Sequence, residues 1–374
     1  MAIKLSCLQN KSMKRLKSLE ILKDQGLTEF FKLWKNIFTT KIKNKFYYNK
    51  YKSDWKNLKN LYHGKRVFLI GNGPSLNKTP LYLLKNEYTL SFNRFNILLE
   101  RLNWLPTMYM CVDGLVAEDM ANEINQMTDL VKHSFFTTSS LTTNTDFTQF
   151  VENKANVHWM LPKGVNSPFN FDLPYVNVGG SVAIAGLQVL RYLGFKEIYL
   201  LGIDMNYKVH ETAEVIKGNN IKSKDDDDPN HFDPRYFGAG RKYHQPKKSI
   251  VDTILGSFER IAGIFKQTDT KVYNATVGGV LESYERKEFN SLFNITATAK
   301  KDMFIDNLQC KTTLNNILNL LNTPANNDYS ESDDVIILNT DKGCSLLAKL
   351  IYTHIPFGPY NHNIYFINRS FLKN

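Results

Sequence analysis

Cysteine is scarce in this 374-residue chain, and the four present, Cys7, Cys111, Cys310 and Cys344, are widely scattered with no Cys-x-x-Cys spacing. That distribution argues against a disulfide framework or a zinc ribbon and favours reduced, buried thiols in a cytosolic setting. No apolar run approaches the roughly 18 to 20 residues that a membrane-spanning helix requires. The basic N-terminus lacks the apolar block and small-residue cleavage site of a secretory leader. Several catalytic signatures are missing too. Without a Gly-x-Ser-x-Gly elbow acyl transfer is disfavoured, and without a His-x-x-x-His pair so is a built zinc site. The chain has no Gly-Lys-Ser/Thr ending of a P-loop and no third glycine of the dinucleotide fingerprint.

What is present is ample core-forming material: 43% of residues are apolar and 13% aromatic, enough for one large or two ordinary domains. The net charge of +11 is unevenly placed. Residues 1–66 hold 17 Lys and Arg against 4 Asp and Glu, whereas the other 308 residues hold 30 against 32. The basic character therefore belongs to an N-terminal extension. In it Leu27, Phe30, Phe31, Trp34, Ile37 and Phe38 share one helical face beside Lys32 and Lys35, a pattern suited to packing on the rest of the protein or to lying on an anionic membrane. No nucleic-acid motif accompanies the charge, so no nucleic-acid partner is expected.

From about residue 65 to 280, strand-like and helix-like blocks alternate. Strands are expected at Arg66 to Ile70, Tyr88 to Phe92, Met108 to Val112, Ser134 to Thr138, Val157 to Leu161, Glu197 to Gly202 and Lys271 to Asn274. Helices are expected at Val182 to Leu193 and Ser249 to Lys266. The fold class that follows is α/β: a Rossmann-like, mostly parallel sheet with helices on both faces, plus an N-terminal helical extension and a small C-terminal appendage. The division is 1–60, 61–285 and 286–374. Polar residues 207–243 break the alternation and read as a lid or a disordered insertion, with Asp225 to Asp228 solvated. In the tail, Leu314 to Leu321 reads as helix, and Val335 to Leu338 and Ile364 to Ile367 as strands.

Three constellations fall at the carboxyl edge of the expected sheet. The first is Gly71-Asn72-Gly73-Pro74-Ser75, where the glycines permit positive φ and close backbone approach, and Pro74 and Ser75 suit a first helical turn that attracts an anion. Asn72 either contacts a phosphate or ribose or caps its own turn. The second is Gly179-Gly180-Ser181 ahead of an apolar helix, where Ser181 is an N-cap or part of a phosphate site. Asp204, just past the following strand, suits ribose hydroxyls, a metal or a nearby loop. The third runs from Asn230 to His244 and carries His231, Arg235, Tyr236, Arg241 and His244. Histidine can take a proton from a hydroxyl nucleophile, and arginine or tyrosine can stabilise a leaving phosphate.

Gly71-Asn72-Gly73-Pro74-Ser75-Leu76, Ser91-Phe92-Asn93-Arg94-Phe95 and Leu193 through Asp204 together resemble the bacterial sialyltransferases of the single-Rossmann type. They also resemble the broader 6-hydroxymethylpterin diphosphokinase MptE-like domain family, as do Asn230 to Gly238 and Tyr273 to Gly279. The likeness covers about residues 60–285. The sialyltransferase resemblance implies an inverting transfer from a CMP-sugar with no obligatory metal, in surface glycan, capsule or lipopolysaccharide assembly. The acceptor would be a glycan or lipid-linked glycan. The protein would sit in the cytoplasm at the inner membrane face, with membrane contact through residues 12–60. Carried over by position, Asn72 and Asn93 would hold the nucleotide phosphate and sugar, and Gly180-Ser181 would face the cytidine. His244 would be the general base, with His231 its rival. Asp113 stands where those transferases have asparagine. Asn206 precedes Tyr207 where they have a tyrosine that assists the departing CMP. The diphosphokinase resemblance implies instead ATP and Mg2+, with Asp113 and Asp204 as metal ligands.

Overall fold

The structure is a computed structural model that describes residues 45–293, apart from 144, 170, 218–219 and 245–246, together with the short strands at 329–332 and 335–338. Chain order begins with a helix over residues 45–58 (α1). Strands β1 (Arg66–Ile70), β2 (Thr89–Phe92) and β3 (Met108–Cys111) come next. Helices α2 (Gly114–Asp119) and α3 (Ala121–Leu130) lead to β4 (His133–Thr137), β5 (Val157–Lys163) and β6 (Tyr175–Asn177). Helix α4 (Val182–Tyr192) crosses to β7 (Glu197–Leu201). An insertion with β8 (Glu214–Lys217), β9 (Asn220–Lys222) and β10 (Lys242–His244) precedes α5 (Lys248–Phe265), β11 (Lys271–Asn274) and β12 (Glu285–Arg286).

Nine strands form one sheet in the order β12-β11-β7-β1-β2-β3-β4-β5-β6, and every pairing in it is parallel. The strands read as they do because both faces are covered: Val67, Phe68, Leu69 and Ile70 are all fully buried, so alternation gives way to continuous apolar runs. The α/β, Rossmann-like class is the one expected from the sequence, and the seven expected strands lie within two residues of the observed ones. The pattern did not reveal β6, only three residues long, or β12, only two.

Helix α4 is apolar nearly all round because it lies in the core, with nine of its eleven residues buried. Gly186 lets it settle on β2, since a Cβ there would come within 3.0 Å of Phe92 and 3.1 Å of Leu90. Helix α5 buries Ile254, Phe258, Ile261 and Phe265 on one stripe. Helix α1 is tied to the sheet by Trp55, whose ring is fully buried and whose Nε1 donates to the Trp159 carbonyl at 2.8 Å. Beside it runs a polar chain: Asp54 to His158 Nδ1 at 2.7 Å, His158 Nε2 to His133 Nδ1 at 3.0 Å, and His133 Nε2 to the Tyr62 hydroxyl at 3.0 Å.

The main body continues past residue 285: Phe289 and Phe293 pack on Phe68, and Arg66 donates to the Leu292 carbonyl at 3.0 Å. Strand Val335–Leu338 forms where expected, paired antiparallel with Tyr329–Ser332. The expected helix at Leu314 to Leu321, the strand at Ile364 to Ile367 and the apolar face from Leu27 to Phe38 lie outside the described residues. So do Cys7, Cys310 and Cys344, while Cys111 is a buried free thiol.

The insertion over residues 207–243 differs from expectation. It is folded, with β8, β9 and β10 in an antiparallel sheet; of its aspartates Asp225 and Asp226 are exposed as expected, whereas Asp227 is half-buried and Asp228 buried. The Asp228 side chain is 1% exposed and accepts from Asn230 N at 2.8 Å and Phe237 N at 3.1 Å. Asp227 binds His210 Nε2 at 2.7 Å, and Asp226 accepts from Ala239 N at 2.9 Å. Carboxylates satisfied by backbone N–H groups can be buried, an outcome that composition does not reveal.

Candidate active site

The chain order reverses across the sheet between β1 and β7: β1 to β6 run one way from it, and β7, β11 and β12 lie on the other side. A crevice at such a switch point, outside the carboxyl ends of the strands, is where open α/β sheets bind ligands. Here the β1/β7 side is closed by the protein itself. Gly71 N donates to the Leu201 carbonyl at 2.7 Å and Gly73 N to the Gly202 carbonyl at 2.9 Å. The two glycines are needed for proximity, since a Cβ on Gly71 would collide with the Gly202 carbonyl and one on Gly73 with the Asp204 carboxylate. The expected positive φ is not found at either: Gly73 has φ −68°, and neither is among the residues with positive φ.

Pro74 opens a single 3-10 turn, Pro74–Lys78. Asp204 already occupies the amino end of that turn, accepting from Ser75 N at 3.2 Å and Ser75 Oγ at 2.8 Å. The anion at this turn is therefore the protein's own carboxylate, and the next residue, Met205, has φ +59°, a conformation that is uncommon and costly for a long side chain. Burial, opposed by the Ser75 hydrogen bonds and the nearby His231, raises the Asp204 pKa.

The open side lies over β1, β2 and β3. Among the described residues eight buried side-chain polar atoms have no hydrogen-bond partner, and four of them fall in the turns that follow β1 and β2: Asn72 Oδ1, Asn93 Oδ1, Arg94 Nε and Asn96 Oδ1. Asn72 Nδ2 donates to the Phe92 carbonyl at 3.3 Å, which fixes the amide orientation and leaves its oxygen unpaired. Asn93 is held at φ +49°, and its carbonyl accepts from the Tyr109 hydroxyl at 2.7 Å. Unpaired buried acceptors at strand ends suit a ligand with hydroxyl or amine donors, and a non-glycine residue in the left-handed region is a frequent companion of such sites.

Asp113, after β3, caps α2 by accepting from Leu115 N at 2.9 Å and Val116 N at 3.4 Å. After β6, Gly179 and Gly180 do have positive φ, +56° and +81°, and Ser181 Oγ accepts from Ala183 N at 3.4 Å as an N-cap. Asn177 Oδ1 accepts from Gly179 N at 2.8 Å, which fixes this turn from below.

The insertion closes over this edge and is stapled to it. Phe232 N donates to the Asn72 carbonyl at 2.9 Å, and Asn77 Nδ2 donates to the Phe232 carbonyl at 2.8 Å. The Tyr236 hydroxyl lies beside the Asn93 side chain and the Arg94 backbone, and burial raises its pKa. His231 stacks flat on Tyr236 with centroids 3.9 Å apart and binds Asp228 through Nδ1 at 2.7 Å. Tyr207 keeps 41% of its surface exposed, while its hydroxyl is desolvated near Asp204 and Asp228; burial first and those charges second raise its pKa. His244 Nε2 is buried without a partner, and β10 packs against α2, the helix that Asp113 caps.

Two residues proposed for phosphate contact are engaged elsewhere. Arg235 is held by Asp233 at 3.0 Å and Glu100 at 2.8 Å, and Arg241 by Asp119 at 2.9 Å. Arg101 also binds Asp233, whose side chain is fully buried, and Arg94 binds Asp119. Arg235–Glu100 and Arg101–Asp233 latch the insertion to the segment after β2, Arg241–Asp119 latches it to α2, and Arg94–Asp119 joins that segment to α2. Sequence reasoning missed Asp228, Asp233, Glu100 and Arg101; the Asx-turn chemistry of Asp228 with Asn230, and of Asp233 with Arg235, was the available signal.

Among the described residues no three His, Cys, Asp or Glu side chains converge as a metal-binding group. Asp113 and Asp204 follow β3 and β7, which β1 and β2 separate, about 14 Å across the sheet at the usual strand spacing. Asp204 spends both oxygens on Ser75, so the pair is not built to share one Mg2+. No helix among the described residues is long and apolar enough to cross a membrane.

No curated protein matches the chain in sequence. Two solved structures are similar in fold at 16% identity. One is the MAf glycosyltransferase from Magnetospirillum magneticum AMB-1, with TM-score 0.40, covering 64% of this chain and 36% of that one. The other is the sialyltransferase CST-II in complex with a trisaccharide acceptor and CMP, with TM-score 0.32, covering 61% of this chain and 89% of that one. This chain thus spans about a third of the Magnetospirillum protein's length. Residues 40–210, which carry α1, β1 to β7 and Asp204, match the model of the 6-hydroxymethylpterin diphosphokinase MptE-like family.

Proposed function

We propose that the protein is a glycosyltransferase that takes a sugar from a nucleotide-activated donor and transfers it with inversion to a hydroxyl of a glycan or lipid-linked glycan. The observation that carries this reading is the group of unpaired buried polar atoms in the turns after β1 and β2, Asn72 Oδ1 and Asn93 Oδ1 above all. Both are acceptors and ask for donors, as the hydroxyls of a ribose or sugar are. The choice of CMP rests on the resemblance of Gly71 to Leu76 and of Leu193 to Asp204.

In this reading His244 takes the proton from the acceptor hydroxyl through its unpaired Nε2. The acceptor oxygen attacks the anomeric carbon as the bond to the nucleotide phosphate breaks, and the electron pair leaves on the phosphate oxygen. Asn72 and Asn93 orient the donor, Tyr236 fixes Asn93, and Gly179 to Ser181 offer a turn against which the base can rest. The cellular setting proposed is the cytoplasmic face of the membrane, in assembly of a surface glycan.

The family match supports a second reading, Mg2+-dependent transfer of a diphosphate from ATP to a pterin alcohol. It asks Asp113 and Asp204 to serve as metal ligands, for which their separation and their present hydrogen bonds are poorly suited. A thermal-shift screen separates the readings. Stabilisation by CMP or a CMP-sugar without metal supports the first, whereas a response to ATP with Mg2+ alone supports the second. A non-catalytic role is tested by His244→Ala, which the transferase reading expects to abolish turnover.

A further inference from the structure

His231 is built differently from His244. Its Nδ1 faces an Asp228 oxygen at 2.7 Å, and that carboxylate is 1% exposed and is also gripped by Phe237 N at 3.1 Å and, through its other oxygen, by Asn230 N at 2.8 Å. A carboxylate can only accept, so Nδ1 carries the proton and the opposite ring nitrogen, Nε2, is the free functional end. The ring is held against rotation by the Tyr236 face at 3.9 Å and by the Phe237 edge at 5.1 Å. An oriented imidazole with a buried carboxylate behind it is the arrangement that stabilises an imidazolium.

The position of this pair is fixed at the donor end of the site. The next residue, Phe232, bonds to the Asn72 carbonyl, the stacked Tyr236 reaches Asn93, and Asp204 lies near His231. Departure of a nucleotide held by Asn72 and Asn93 is assisted by a hydrogen-bond donor aimed at its phosphate. Each of the four arginines in the turns after β1 and β2 and in the insertion, Arg94, Arg101, Arg235 and Arg241, is tied into an ion pair.

We propose that the His231–Asp228 pair is a second catalytic device, distinct from the base: the His231 imidazolium donates from Nε2 to the phosphate oxygen of the departing nucleotide. The acceptor hydroxyl loses its proton to His244, the new carbon–oxygen bond forms as the carbon–oxygen bond to phosphate breaks, and the leaving phosphate oxygen receives the electron pair and the Nε2 hydrogen bond or proton. Asp228 acts through His231 as its positioning residue. The assignment rests on the nucleotide-donor reading of the site and adds which end of the donor His231 touches.

The test is calorimetric titration of the full chain with four nucleoside monophosphates, CMP, UMP, AMP and GMP, and with the corresponding nucleosides, for wild type, His231→Gln and Asp228→Asn. Unfolding midpoints would be measured alongside. The proposal expects a phosphate-dependent gain in affinity that both variants reduce by about tenfold to a hundredfold, the usual contribution of a hydrogen bond to a charged group. Nucleoside affinity should be retained in His231→Gln. Equal losses for nucleotide and nucleoside, or no loss for either, would overturn the role of His231 while leaving the nucleotide site standing. Failure of wild type to bind any nucleotide or nucleoside would remove the donor reading itself, and the assignment with it.

Discussion

At the scale of single residues, the sharpest constraint is the packing of Gly73 against Asp204. A methyl group at residue 73 would overlap the carboxylate that holds Ser75. Gly73→Ala is therefore expected to cost about 3 kcal/mol or more, at the upper end of overpacking penalties. Gly64→Ala, at φ +76° with open space around it, should cost only about 1 kcal/mol from backbone strain. Urea denaturation of the two variants checks the contrast, and equal losses would remove the close-packing explanation. Asn72 and Asn93 belong to the same scale. Replacing either by Ala removes an unpaired buried acceptor and should weaken nucleotide binding, measured by titration beside thermal unfolding; Asn93→Ala should in addition lose about 1 kcal/mol of stability because residue 93 has φ +49°. Much of this was legible in the sequence, because glycines flanking Asn72 at a strand end announce a tight βα turn. Their reason was not. Gly73 is required by a residue 131 positions later in the chain, and no local pattern reports such a meeting.

Among the elements, the insertion and helix α1 make the most specific claims. The insertion is fastened by two crossed ion pairs, Arg101 with the buried Asp233 and Arg235 with Glu100. Arg101→Met should loosen it, raising protease sensitivity within residues 207–247 while far-UV circular dichroism of the main body is retained. Unchanged protection would show that the ion pair does not hold the lid. Helix α1 is joined to β4 and β5 through Asp54, His158, His133 and Tyr62. Burial, with His158 adding to it, depresses the His133 pKa from 6.5 to about 4. The unfolded chain then binds a proton as pH falls below 6.5 while the folded protein does not until about 4. This histidine therefore lowers folding stability progressively as pH drops through that window, and leaves it untouched above. His133→Gln should flatten the fall in unfolding midpoint between pH 6.5 and 4, and an unaltered slope would contradict it. Strands were readable because apolar runs bounded by turns are local signals. The insertion was misread because acidic composition suggests solvation, whereas Asp226, Asp227 and Asp228 are consumed by N–H groups and a histidine that only the folded loop brings to them.

The main body of the described residues is a parallel sheet whose switch point is plugged on the β7 side by Asp204 and left with unpaired acceptors on the β2 side. In the proposed reading the ligand lies over β1 to β3, beneath an insertion that carries His231 and His244 and keeps Arg235 and Arg241 in ion pairs. Alternation of strands and helices gave the architecture from sequence. The division of labour at the sheet edge depended on strand order, which local periodicity cannot supply. The most direct measurement is the unfolding midpoint of the full chain with CMP, with a CMP-sugar and with ATP, each with and without Mg2+. At about a hundredfold excess over Kd a ligand adds about 2.7 kcal/mol, a rise of several degrees for a protein of this size. The account predicts that rise with the cytidine nucleotides and no metal. A rise confined to ATP with Mg2+ would contradict it.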